Sequence, residues 1–164
     1  MELSISKVKE SEIPELLALV FELAIYEKIT DWFVATEDSY RESLFGPNAV
    51  AEALLARADD KAIGYAIFFE NFSSFIGRRG IFLEDIYVQP AHRGKGVGKK
   101  MLLTVAEIAK ERNCGRLEWT VLNWNKPAID FYESIGAEAM KEWTIYRMHE
   151  KDIARFTEQG SKGK

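Results

Sequence analysis

The stretch Val88-Gln89-Pro90-Ala91-His92-Arg93-Gly94-Lys95-Gly96-Val97-Gly98-Lys99-Lys100 decides how this chain is read. It joins a strand-like run, Gly80 to Val88 (GIFLEDIYV), to an amphipathic helix over about Gly96 to Arg112. Glycines at 94, 96 and 98 let backbone and ligand come close. The first amides of a helix have no partner inside it, and the helix dipole favours an anion there. Arg93, Lys95, Lys99 and Lys100 add positive charge. This join suits a diphosphate, so residues 93 to 99 are expected to carry a phosphate-bearing ligand.

Outward from the loop, the pattern alternates strands and helices. Leu3 to Val8 alternates apolar and polar residues as a strand does. Ser11 is placed as an N-cap for a helix whose stripe runs through Leu16, Leu17, Val20, Leu23 and Ala24 to about Tyr26. Thr36 caps a short helix that Gly46-Pro47 stops near Phe45. Ala49 to Arg57 has helical propensity, but the turn-like Ala58 to Lys61 and the strand-like Ile63 to Phe69 make residues 49 to 70 a hairpin. Asn71 to Arg79 is read as a loop, which Arg78 and Arg79 line as solvated charges or as contacts to a ligand phosphate or partner chain. After the 96–112 helix come a strand over Leu117 to Leu122, a helix from about Asn125-Pro127 to Gly136, and a strand over Glu142 to His149. From Gln159 the tail is expected to fray. The order β-α-α-β-β-β-α-β-α-β(-β) makes an α/β domain with a mixed sheet.

Composition narrows the function. The chain has 164 residues, 47% of them hydrophobic, enough for one domain with its own core. A net charge of -4 excludes bulk nucleic-acid binding as the expected role and suits a cationic substrate. No apolar run reaches transmembrane length, and the N-terminus lacks a signal-type apolar core, so a cytoplasmic protein with no membrane partner is expected. Cys114 is alone, which agrees with a reducing compartment, and His92, His149 and Cys114 are too scattered for a metal site, so none is expected.

The loop lacks the spacing of two common phosphate motifs. Gly94, Gly96 and Gly98 give G-x-G-x-G rather than G-x-G-x-x-G, and Lys100 stands where a P-loop needs Ser or Thr. Arg93-Gly94-Lys95-Gly96-Val97-Gly98 resembles instead the acyl-CoA pyrophosphate motif of the GNAT superfamily of N-acetyltransferases. Asn123 to Ala137 (NWNKPAIDFYESIGA) resembles that family's second signature. The resemblance runs from about Leu3 to Glu150 and is greatest to the diamine (spermidine/spermine) and thialysine acetyltransferase branch, through Tyr26-Glu27, Leu83-Glu84-Asp85-Ile86-Tyr87-Val88, Trp124-Asn125 and Tyr132. It implies a single-domain GNAT fold over residues 1–155 with a polar tail at 156–164. The implied sheet is mixed, mostly antiparallel and twisted, flanked by helices, with central strands splayed around CoA.

Moving an acetyl group from a thioester to an amine needs a deprotonated amine, donors for the oxyanion and an acid for the thiolate. The resemblance implies Tyr132 as that acid and Glu84 as the base, acting through water, with Asp85 orienting neighbours or attracting a cationic tail. Glu84 and Asp85 point to opposite faces of an ordinary strand, so only one of them lines the acceptor site unless the strand bulges. The implied acetyl-CoA contacts are Ile86, Tyr87 and Val88, the loop residues Arg93, Gly94, Lys95, Gly96, Val97, Gly98 and Lys99, and Asn125, Pro127 and Ala128. Asn125 is equally suited to plain N-capping. Tyr26, Glu27, Glu84, Asp85 and Trp119 are the implied acceptor-site residues, although Tyr26 and Glu27 also suit a solvated helix end and Trp119 the core. Cys114 has no nearby His in sequence, so direct attack in a ternary complex is expected rather than an acetyl-cysteine route. The segment before Trp143 holds only Lys141-Glu142, shorter than in the animal polyamine enzymes it resembles, which makes a smaller amine or a lysine-like acceptor such as thialysine at least as well suited as spermine. A homodimer is expected from the same resemblance. Two readings stay open beside this one: a protein or peptide amine as acceptor, and a CoA-sensing module without turnover.

Overall fold

The computed structural model describes residues 2–161, with Ser161 described for its backbone only. The chain divides into two compact units, Met1–Thr120 and Val121–Lys164. The first is built on a five-stranded sheet in the order β1-β2-β3-β4-β5, comprising β1 (Leu3–Lys7), β2 (Glu52–Ala58), β3 (Lys61–Ser73), β4 (Arg78–Val88) and β5 (Leu117–Trp119). The first three pairings are antiparallel and β4–β5 is parallel. The sheet is therefore mixed and mostly antiparallel, as expected.

Helices cover both faces of that sheet. On one face α1 (Ile13–Tyr26) sets Leu16 and Leu19 against Leu55, Tyr65, Ile67 and Tyr87. Tyr40 and Leu44 of α2 (Glu37–Phe45) pack at the margin of this cluster. On the other face α3 (Val97–Glu111) sets Val97 and Met101 against Ala56 and Ile63, with Ile86 and Val88 packed on them. Helical spacing puts Val97, Met101, Val105 and Ala109 on the buried stripe of α3.

Several local expectations hold, and each has a visible cause. Thr36 caps α2: its Oγ1 accepts from Ser39 N at 3.1 Å, while Ser39 Oγ accepts from Thr36 N at 2.9 Å. Residues 52–58 form a strand despite their helical propensity, because β1 and β3 flank them and Leu54, Leu55 and Ala56 are buried. Asn113, at φ 55°, turns the chain out of α3.

Other expectations fail. Ser11 does not cap α1; a 3-10 turn at Glu10–Glu12 precedes the helix, and the Glu12 carboxylate accepts from Lys9 N at 2.8 Å. Asn71 to Arg79 is not a loop, because β3 and β4 pair out to Ser73 and Arg78 and leave a tight turn between them. Arg78 and Arg79 thus begin a strand, with Arg78 Nη1 donating to Asn113 Oδ1 at 2.9 Å. The strand expected to reach Leu122 stops at Trp119.

The second unit contains α4 (Lys126–Ser134) and α5 (Glu150–Ser161). Gly136, at φ 89°, follows α4 as expected. Residues 142–149 form no strand, since a strand needs a neighbour for its backbone groups and the described residues of this unit include none. Residues 159–161 lie in α5 rather than in a frayed tail, while 162–164 fall outside the described residues. Among the described residues, no helix is long and apolar enough to cross a membrane.

Gly64 fixes how closely β3 approaches the end of β4. A Cβ there would stand 2.5 Å from Tyr87 O. Gly64→Ala is expected to destabilise the fold by about 1–3 kcal/mol through overpacking. Urea denaturation monitored by tryptophan fluorescence will show this as a lower midpoint with an unchanged slope.

Candidate active site

The pairing of β3 with β4 carries a one-residue irregularity. Ile67 faces Asp85 and Phe68 faces Leu83, so Glu84 is an extra residue in β4. A bulge of this kind re-aims side chains and reverses the alternation beyond it. Before the bulge, Leu83 shares the register face of Phe68; after it, Asp85 and Tyr87 share the face of Ile67 and Tyr65, which α1 covers. Asp85 thereby turns into the α1 side of the sheet, while Glu84 remains exposed beside it.

Burial makes Asp85 the most perturbed acid of the site. Its carboxyl is pushed up to about 7, first by loss of solvent and then by the negative charges of Glu84 and Glu27. Tyr65 Oη donates to Asp85 Oδ2 at 3.3 Å, which favours the charged form and offsets part of the rise. Tyr65 is fully buried and its own hydroxyl is held well above its ordinary range, so it stays a donor. Tyr40 of α2, pushed up to about 12 by burial and then by Asp85 and Glu84, feels the same charges. Sequence reasoning passed over Tyr40 and Tyr65, because aromatics on apolar stripes carry no local sign of an acidic neighbour.

Glu27 is the C-cap residue of α1, and burial raises its carboxyl too. The C-terminal end of a helix is already partly negative, so a carboxylate there is unfavourable unless a cation comes. Glu27, Glu84 and Asp85 take no part in the ion pairs among the described residues, all of which involve other acids. The structure thus gathers three acids outside the ion pairs of the described residues, beside Tyr26 at the last position of α1.

The far end of β4 presents backbone to the adjoining edge. Gln89 N donates to Ile63 O at 2.9 Å, and antiparallel alternation turns the N–H and C=O of Val88 and Ile86 away from β3. Parallel pairing with β5 covers only Ile81, Phe82 and Leu83, the last opposite Trp119. Beyond Leu83, β4 continues without β5, because β5 ends at Trp119 rather than running on to Leu122 as a strand splayed from β4.

The loop that follows is shaped for a close ligand. Gly94 and Gly96 sit at φ 72° and φ 79°, where a side chain is strained, and an added Cβ at either would meet nothing within 4 Å. Gly96 is the N-cap of α3 and has no side chain to cap the first amides. Val97 is buried and anchors the first turn, Gly98 lies in that turn, and Lys99 is exposed. Lys95 Nζ donates to Ala91 O at 3.0 Å. Arg93 Nε donates to Val88 O at 2.8 Å, and its guanidinium lies over the ring of Tyr26 at 4.7 Å from the centroid. Open space, uncapped amides and basic side chains fit a diphosphate.

In the second unit, Pro127 and Ala128 form the first turn of α4 and Tyr132 lies in its last turn, with its ring 5.5 Å from that of Phe131. Asn125 occupies the N-cap position, but its side chain makes no capping hydrogen bond.

The sequence pattern of the acetyltransferase (GNAT) family matches residues 17–137. The chain is 38% identical to a thialysine N-epsilon-acetyltransferase of Bos taurus, over 87% of this chain and 90% of that protein. It is 30% identical to an L-ornithine N5-acetyltransferase of Arabidopsis thaliana, over 84% and 80% respectively. An integron cassette protein from the mobile metagenome of V. cholerae has the same fold, with a TM-score of 0.80 and 28% identity, covering 96% of this chain and 98% of that one. The chain belongs to the GNAT family of acetyltransferases. Acetyl transfer to an amine is the chemistry of this group.

The raised carboxyl of Asp85 has a definite effect on stability. The folded protein keeps this proton up to about pH 7, whereas an unfolded Asp loses it near 3.8. Folded chains therefore bind more protons between those values, and stability falls as pH rises across the window. Asp85→Asn removes that fall. Relative to the unaltered protein, its stability should rise between pH 5 and pH 8 by up to roughly 3 kcal/mol, read as a higher melting temperature. A parallel pH dependence in both proteins would show that Asp85 ionises normally.

Proposed function

We propose that this chain moves an acetyl group from acetyl-CoA to a primary amine of a small polyamine, diamine or lysine-like acceptor, by direct attack in a ternary complex. The observation that carries this reading is the gathering of Glu27, Glu84 and Asp85 at the β4 bulge, next to the edge where β4 outruns β5. Acids outside the ion pairs attract an ammonium, and a carboxylate beside it can take its proton through water. The thialysine and ornithine named for the two relatives are themselves side-chain amines, which supports a small lysine-like acceptor.

In this reading Glu27 and Asp85 hold the cationic acceptor, with Tyr26 and Trp119 as its apolar walls. Glu84, exposed on the bulge, takes the attacking amine's proton through water. GNAT acetyltransferases use acetyl-CoA, which supplies the thioester. Its arm lies along β4 at Ile86, Tyr87 and Val88, beside the outward backbone groups of Ile86 and Val88, with Asn125, Pro127 and Ala128 as further contacts. The loop from Arg93 to Lys99 takes the diphosphate. A backbone N–H of Ile86 or Val88 stabilises the oxyanion, and the Tyr132 hydroxyl protonates the departing thiolate.

The domain spans 1–155, the protein is cytoplasmic, and it works without a metal. It acts as a homodimer: Trp143 and Tyr146 are 74% and 93% exposed in the apolar-alternating 142–149 segment, which a second copy would cover. Light scattering on the purified chain is expected to give twice the mass of 18.7 kDa.

Release of free thiol from acetyl-CoA, measured against putrescine, spermidine, spermine, lysine, thialysine and an unrelated drug-like amine, tests the activity. Selective turnover of a short diamine or a lysine-like amine is expected. Tyr132→Phe should lower turnover at saturating substrates by roughly 10²-fold with the melting temperature little changed. Silence across the panel with CoA still bound would move the acceptor to a protein amine or make the chain a sensor.

A further inference from the structure

We infer that Arg93 mechanically ties the acyl-donor loop to the acceptor-side end of α1, so that Tyr26 governs donor binding through the Arg93 guanidinium. This rests on the reading of residues 93–99 as the CoA diphosphate site. Arg93 is held from three directions. Its Nε donates to Val88 O at 2.8 Å, and its guanidinium lies 4.7 Å from the Tyr26 ring centroid and 5.5 Å from that of Tyr87. A cation over two aromatic rings is attracted by both faces.

The same end of α1 grips the strand just before the loop. Glu22 lies one turn ahead of Tyr26 on the same helix face. Its carboxylate accepts from Tyr87 Oη at 3.0 Å and from Gln89 Nε2 at 2.9 Å. Tyr87, Gln89 and Arg93 are thus all engaged by α1 as β4 turns into the loop. An arginine has a long stem that loses rotamer freedom when it is ordered against an anion. The two rings and the Val88 carbonyl order it beforehand, which favours donor binding by preorganisation. Tyr26 also adjoins Glu27 and the acid cluster, so an acceptor that presses on this helix end alters the support under Arg93. Donor and acceptor affinities are then coupled, each changing the other by the same factor.

A double-mutant cycle on binding of free coenzyme A tests the link, by isothermal titration of the full chain. Tyr26→Leu removes the ring under the guanidinium and should bind CoA roughly two- to tenfold more weakly. In an Arg93→Ala background, adding Tyr26→Leu should cause no further loss, because the residue through which Tyr26 acts is gone. Equal weakening by Tyr26→Leu in both backgrounds would mean that Tyr26 only supports the fold, and the link would be wrong. No effect of Tyr26→Leu in the unaltered background would also overturn it. Failure of the unaltered protein to bind CoA would instead bring down the loop assignment itself. Circular dichroism melts of each variant separate these outcomes from unfolding.

Discussion

One extra residue in β4, Glu84, sets which face of the sheet every later side chain of that strand meets. Without it, the alternation that buries Ile81 and Leu83 would continue, and Asp85 and Tyr87 would face α3. With it, they turn toward α1, and Ile86 and Val88 pack beside Val97 and Met101 on the α3 side. The bulge therefore does two things at once. It puts a carboxylic acid where a core side chain is expected, and it lets its neighbour Glu84 remain in solvent beside it.

That arrangement costs stability, and the cost is informative. A half-buried acid held against Tyr65, near Glu84 and near Glu27 at the cap of α1, has no ion-pair partner among the described residues. Elsewhere the chain pairs its buried or half-buried charges carefully. Arg112 binds Glu52 through two nitrogens at 2.6 and 2.9 Å and reaches Glu70 at 3.1 Å, and Arg57 joins Glu12 and Glu15. Asp85 and Glu27 lack such a partner, and half-buried Glu22 is held by hydrogen bonds from Tyr87 Oη and Gln89 Nε2 instead. In the proposed reading, this shortage of positive charge prepares the site for a cationic acceptor, the ordinary compromise between stability and function.

The second half of the site obeys a different physics. Around Gly94 and Gly96 the requirement is empty space and free backbone direction, which glycine meets at φ values that other residues avoid. Rigidity comes from both sides of the loop. Val97 locks the first turn of α3 into the core, and the Tyr26, Tyr87 and Glu22 contacts hold the strand end and Arg93 against α1. A permissive loop is thereby suspended between two well-packed anchors.

The sequence by itself determined what is local and periodic. The apolar stripe of α3, the Thr36 cap, the left-handed glycines and the strand-loop-helix join are all written in short spacings, and the family motifs at 93–98 and 123–137 are equally local. It also posed the question of the bulge, since two adjacent carboxylates cannot both line one side of a regular strand. Tertiary structure alone decided the answer, because an unpaired residue exists only relative to a partner strand. It likewise decided that Tyr65 and Tyr40 would sense Asp85, and that Arg93 would lie over Tyr26, contacts between residues 20 to 67 positions apart. It gave a helix to residues 150–161 and withheld the strand expected at 142–149, because alternation becomes a strand only where a neighbour completes the backbone hydrogen bonds.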